Sequence, residues 1–173
     1  MYRVFSSRLM VLLLVLLCLD LTVAPLIQVL GAQPLFLYLV ILYVAFYWPG
    51  AKLLPLAGLV GALRDLTTSP VAGIETAAVV LMTFFLHWAV QKMDRQSLLV
   101  KETAAFLFVL GIESIIATGA AQFDGHPVFT MTWRSVLISS VYTALISPLF
   151  FFLMSILFDD RERSYRQQYE LFR

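Results

Sequence analysis

Apolar residues arrive along this chain in long runs, not in the spaced pattern of a helix half covered by water. The runs cover residues 9–30, 35–48, 72–90, 103–122 and 135–158, and a sixth, richer in glycine, covers 53–66. A helix that is apolar on every face has to be surrounded by other apolar matter. Hydrocarbon about 30 Å thick takes about 20 helical residues at about 1.5 Å each to cross. The pattern therefore predicts an all-α fold, a polytopic transmembrane helical bundle of about six helices. Residues 1–158 form its single transmembrane domain and 159–173 a polar cytoplasmic tail.

The runs 35–48 and 53–66 are short of a full crossing and are separated by Trp48-Pro49-Gly50-Ala51-Lys52, a Pro-Gly turn with an interfacial aromatic. Two readings stay open. Either both cross as short helices through locally thinned lipid, or they form a re-entrant hairpin shielded by their neighbours. The first run, behind Arg3 and Arg8, has the outline of a secretory signal. Asp20 interrupts it, Pro25 follows the weak cleavage site at Thr22-Val23-Ala24, and hydrophobicity resumes beyond, so a retained helix kinked at Pro25 is expected.

Composition sharpens the membrane reading. Hydrophobic residues make up 61% of the chain and charged ones 13%, with a mean hydropathy of +0.88. A water-soluble domain of this size carries about a quarter of its residues charged, so lipid is the solvent that suits most of this surface. A net charge of +1 with dispersed basic residues excludes a nucleic-acid surface. The single cysteine, Cys18, excludes internal disulfides. With the amino terminus inside, ten of the twelve Lys and Arg residues fall on the cytoplasmic side and only Arg64 and Arg134 outside. A re-entrant hairpin would change that only to nine against three, so both termini are expected in the cytoplasm. The tail balances four Arg against four acids, and Tyr165, Tyr169 and Phe172 share one helical face, which reads as a solvated helical extension.

Ionisable residues inside apolar runs are expensive, at about 2.5–3.5 kcal/mol each near a helix centre, and so carry information. Asp20 is expected mid-way along the first helix and Glu113 mid-way along the fifth, with Glu75 entering the fourth. These three are candidate lining of a polar pocket, or satisfied structural hydrogen-bonding groups. Arg64 and Asp65 close the third helix and offer a local ion pair. Ala57-Gly58-Leu59-Val60-Gly61-Ala62 places small residues where another backbone can approach, which makes Gly58, Gly61, Arg64 and Asp65 candidates for helix contact or partner binding. Pro148 is expected to free a carbonyl in the last helix and kink it. No phosphate-binding glycine loop, His-Glu-x-x-His or Gly-x-Ser-x-Gly occurs, and His87 and His126 have no partner at ligand spacing. Enzymatic activity, a metal site and a cofactor are therefore not expected.

The order of motifs in the middle of the chain resembles the MreD family, small polytopic membrane proteins of the bacterial rod-shape system. Gln33-Pro34-Leu35-Phe36 looks like the family's proline entry into helix two. Gly58-Leu59-Val60-Gly61-Ala62-Leu63-Arg64-Asp65-Leu66 is similar to its glycine-rich segment ending in Asp-Leu. Ala72-Gly73-Ile74 stands in the place of its Leu-Gly element, with alanine for the usual leucine. The resemblance implies a bacterial inner-membrane protein that is a non-enzymatic scaffold of the cell-elongation complex. It would bind an MreC-like bitopic protein and support side-wall peptidoglycan synthesis alongside an MreB-like filament, RodA and a class B penicillin-binding protein. The family is similar in fold to the six-helix S components of energy-coupling-factor (ECF) vitamin transporters. A solute-binding S component is therefore the alternative function, with Asp20, Glu75 and Glu113 as pocket lining. S components present an Ala-x-x-x-Ala face on helix one, whereas the first helix here is leucine-rich with Ala24 alone, which favours the scaffold.

Overall fold

The computed structural model describes residues 2–28, 33–47, 53–67, 73–93, 97–124 and 129–171. Side chains are described over 11–28, 33–47, 53–67, 73–93, 97–119 and 133–157. All regular structure among these residues is helical: α1 Tyr2–Thr22, α2 Phe36–Tyr47, α3 Leu53–Thr67, α4 Ile74–Val90, α5 Leu98–Asp124 and α6 Phe129–Leu171. Each apolar run of the sequence corresponds to one helix. One stretch among the described residues, Trp133–Leu157 within α6, is long and apolar enough to cross a membrane, while α2 and α4 are apolar but shorter. The Pro49-Gly50 turn, Pro70, Ala72, His126 and the side chains of the tail lie outside the described residues.

α2 is the axis of the molecule. Every side chain from Leu37 to Phe46 is buried, and α1, α3, α4, α5 and α6 all contact it. Complete apolarity therefore has a structural reason, because this helix has no outer face. Tyr43 and Phe46 meet Phe151 of α6 with ring centroids at 6.1 and 6.3 Å, and Tyr38 meets Phe108 of α5 edge-on at 6.4 Å. At the far end of α2, Tyr47 accepts a hydrogen bond from Lys101 Nζ at 2.8 Å.

The other helices pair around this axis, α3 against α4, α4 against α5 and α5 against α6. The closest approach is between α3 and α4. A Cβ built on Gly61 would stand 2.6 Å from Thr76 Cα, a separation no side chain permits. Gly58, one turn earlier, has no such restriction, since its Cβ would lie 4.0 Å from Val80 Cγ2.

Two helix irregularities differ from or complete the sequence expectation. α1 does not run through Pro25 as a kinked helix to residue 30, but ends at Thr22. The N–H groups of Val23 and Ala24 both turn back to the Leu19 carbonyl at 2.9 Å, and those of Leu26 and Ile27 to Val23 at 3.0 and 3.1 Å. Pro25 has no N–H with which to continue the ladder. In α6, Pro148 lies inside a continuous helix, and the carbonyl it leaves without an amide, that of Ala144, accepts the Ser147 hydroxyl at 2.9 Å.

Within a mostly apolar core a few polar and charged side chains are enclosed, while many large apolar ones face outward. Arg64, Glu75, Thr83, Ser139, Ser140, Thr143 and Ser147 are buried, whereas Leu14, Phe84, Phe85, Leu145, Leu149 and Phe152 are each more than half exposed.

Candidate functional site

The ionisable side chains Asp20, Arg64 and Glu75 gather where α1, α2, α3 and α4 meet, and the helices are joined there by side chains that cap one another. α2 opens with backbone N–H groups that have no partner within the helix. Asp20, in the last turn of α1, accepts Phe36 N–H with Oδ1 at 2.9 Å and Leu37 N–H with Oδ2 at 3.4 Å. Thr143 Oγ1 of α6 accepts Leu35 N–H at 3.3 Å. The sequence places Asp20 mid-way along a longer helix; because α1 stops at Thr22, the carboxylate is instead at a helix end, facing another helix's first turn.

The same device repeats one helix later. Asp65, near the end of α3, accepts the N–H groups of Glu75 and Thr76 at 3.0 and 2.9 Å, and the Thr76 hydroxyl as well. Gly73, which precedes α4, offers no side chain for this purpose and has φ of 94°, a backbone region suited to glycine. Its position therefore permits the turn, and the capping acceptor comes from the neighbouring helix. A carboxylate also complements the positive end of the helix dipole at both α2 and α4.

Arg64 links the two caps. Its Nη1 is 3.5 Å from Asp20 Oδ2, its Nε donates to Glu75 Oε1, and its guanidinium carbon lies 4.8 Å from the centre of the Tyr38 ring. Tyr38 donates its hydroxyl to the same Glu75 oxygen at 2.6 Å. Arg64 is 7% and Glu75 3% exposed, so these charges have exchanged water for each other. Breaking one side of such a pair costs about 3–5 kcal/mol, since the remaining charge stays buried. The expected local pairing of Arg64 with Asp65 is thus replaced by a division of labour, in which Arg64 reaches α1 and α4 and Asp65 caps α4.

Of the residues singled out for helix contact, Gly61, Arg64 and Asp65 are used inside the chain against α4 and α1, and Gly58 faces α4 with room to spare. Of the residues singled out as pocket lining, Glu75 is consumed by Arg64 and Tyr38. Asp20 borders a void of about 10 Å³ with Leu17, Gln33, Pro34 and Arg64, barely room for one water. Glu113 lines a larger cavity of about 220 Å³ together with Gln28, Gln33, Leu35, Arg64, Ser135 and Ser139. Among the described residues no three of His, Cys, Asp and Glu lie close enough to hold a metal ion.

Sequence reasoning did not single out Tyr38, Ser139 or Thr143. A signal for the last two exists, because Ser139, Thr143 and Ser147 recur every four residues and form a buried stripe along the apolar part of α6. Ser139 donates to the Gln33 carbonyl at 2.9 Å, fixing the entry to α2. Compared with protein-family models, curated proteins and solved structures, the chain matches none.

Proposed function

We propose that the chain is a polytopic bacterial inner-membrane protein of MreD type, a non-enzymatic scaffold of the cell-elongation complex that binds an MreC-like bitopic protein. The observation that carries the membrane part is the outward-facing leucine and phenylalanine around an enclosed, ion-paired centre. In water, exposed apolar area on this scale is a liability, whereas in lipid it is the ordinary outer surface. A short, wholly covered α2 also suits a membrane, where irregular or short segments are tolerated only behind other helices.

The scaffold part is supported by where the residues of the resemblance lie. Pro34, Leu35 and Phe36 form the capped entry to α2. Gly61, Arg64 and Asp65 fasten α3 to α4, and Gly73 makes the turn into α4. The segments that resemble the family are those that hold the helices together, as expected of a shared fold. With Arg64, Glu75, Asp20 and Asp65 committed to one another, the interior is built for rigidity, and a rigid apolar exterior is a surface on which other transmembrane helices pack. Both termini and the loop between α4 and α5 lie on the cytoplasmic side in this reading.

The test is copurification. Detergent-solubilised protein bearing an affinity tag is expected to retain an MreC-like bitopic protein in stoichiometric amount. Recovery without such a partner, from cells that contain one, overturns the scaffold reading. The transporter reading predicts instead retention of a coupling subunit and a solute.

A further inference from the structure

The cavity beside Glu113 has a chemistry of its own. At about 220 Å³ it has room for several waters or one small polar molecule, and it is below the size of pockets for drug-sized ligands. Its lining is largely polar: Gln28, Gln33, Ser135 and Ser139 around Arg64 and Glu113, with Leu35 the one apolar member. Gln28, which follows α1, is an exposed member of this lining and so marks its rim.

Charge decides what such a cavity takes. Among the described residues one guanidinium is buried, that of Arg64, and it pairs with Asp20 and Glu75. Glu113 is a third carboxyl within electrostatic reach of Arg64 and Glu75, yet among the described residues it accepts no hydrogen bond and joins no ion pair. A half-buried carboxylate without a donor is costly, and the cost disappears when a cation with N–H groups settles against it. The side-chain amides of Gln28 and Gln33 beside it suit hydroxyl or ester oxygens on the same molecule.

We propose that this cavity binds a small primary ammonium compound bearing oxygen groups, with the ammonium on Glu113. The chemistry is that of ethanolamine, either as the free amino alcohol or as the headgroup of phosphatidylethanolamine entering from the rim at Gln28. The proposal does not rest on the scaffold reading, and its readout is independent of any partner.

Thermal unfolding of the purified protein in detergent tests it. Free ethanolamine is expected to raise the apparent Tm in a concentration-dependent way, by about 5–10 °C near a hundredfold excess over Kd. Ethylene glycol, the neutral isostere, is expected to leave it unchanged. In a second arm, mixed micelles with phosphatidylethanolamine are compared with phosphatidylcholine, whose nitrogen carries no N–H. Stabilisation in the first arm assigns the free solute, and stabilisation in the second alone assigns the lipid. E113Q is expected to abolish the response in either arm. Q28W, which blocks the rim without touching the interior, does the same if E113Q fails to fold. Absence of any shift in both arms, or an equal shift in the wild type and the variants, overturns the proposal.

Discussion

Phe36 donates its backbone N–H to Asp20 Oδ1 at 2.9 Å, so the first turn of α2 is finished by a carboxylate from the last turn of α1. The same carboxylate faces Arg64. Removing it with Asp20→Ala is expected to lower stability by about 2–4 kcal/mol, combining a lost cap of about 1 kcal/mol with part of the cost of a broken buried pair. Asp20→Asn retains an oxygen for the amide and is expected to cost about half as much. Thermal unfolding of the two variants in detergent checks this, and equal losses would show that the cap contributes nothing.

Gly61 and Gly58 are one turn apart on α3 but face different demands. Gly61→Ala drives a methyl into the Thr76 backbone, where no rotamer offers relief, and a loss of about 1–3 kcal/mol is expected from overpacking. Gly58→Ala meets Val80 at ordinary contact distance and is expected to change stability by less than about 0.5 kcal/mol. Comparable losses for the two would place the tight crossing elsewhere.

Ser147 and Pro148 form a compensating pair. Ser147→Ala leaves the Ala144 carbonyl of α6 without its donor, at a cost of about 1–3 kcal/mol for a buried unsatisfied group. Adding Pro148→Ala restores a backbone N–H to the ladder, so the double variant is expected to regain most of the loss. A double-mutant cycle read by thermal unfolding measures the coupling, and simple additivity would refute it.

Orientation is open to labelling. In a Cys18→Ser background, Gln28→Cys lies in the connection from α1 to α2 and Lys92→Cys follows α4. A membrane-impermeant maleimide applied to intact cells is expected to label the first, and the second only after permeabilisation, as the distribution of Lys and Arg requires. The opposite pattern would invert the topology.

The helices were legible because uninterrupted apolar runs leave little alternative to helix, and each run became one element. The end of α1 was not, because hydrophobicity continues past Pro25 while the hydrogen-bond ladder does not. Charge inside apolar runs pointed to Asp20, Glu75 and Glu113, and the structure gives each a different environment. The sequence offers Arg64 its neighbour Asp65, but the pairs of Arg64 lie 44 and 11 residues away. Such pairings depend on how helices cross, which periodicity along one helix does not encode. Tyr38 is silent in the sequence for the same reason, since its hydroxyl is just another position in an apolar run until Glu75 is brought beside it.

The entry to α2 also sets an order of events during synthesis. Its Leu35 amide is satisfied by Thr143, 108 residues downstream, and its flank is closed by Phe151. The ribosome has therefore made the chain at least as far as Phe151 before the central helix can be fully enclosed. Until then the apolar side chains of α2 have no partner on the side that α6 will cover. A chain truncated before α6 would leave that helix bare on one side, a natural mark for quality-control proteolysis.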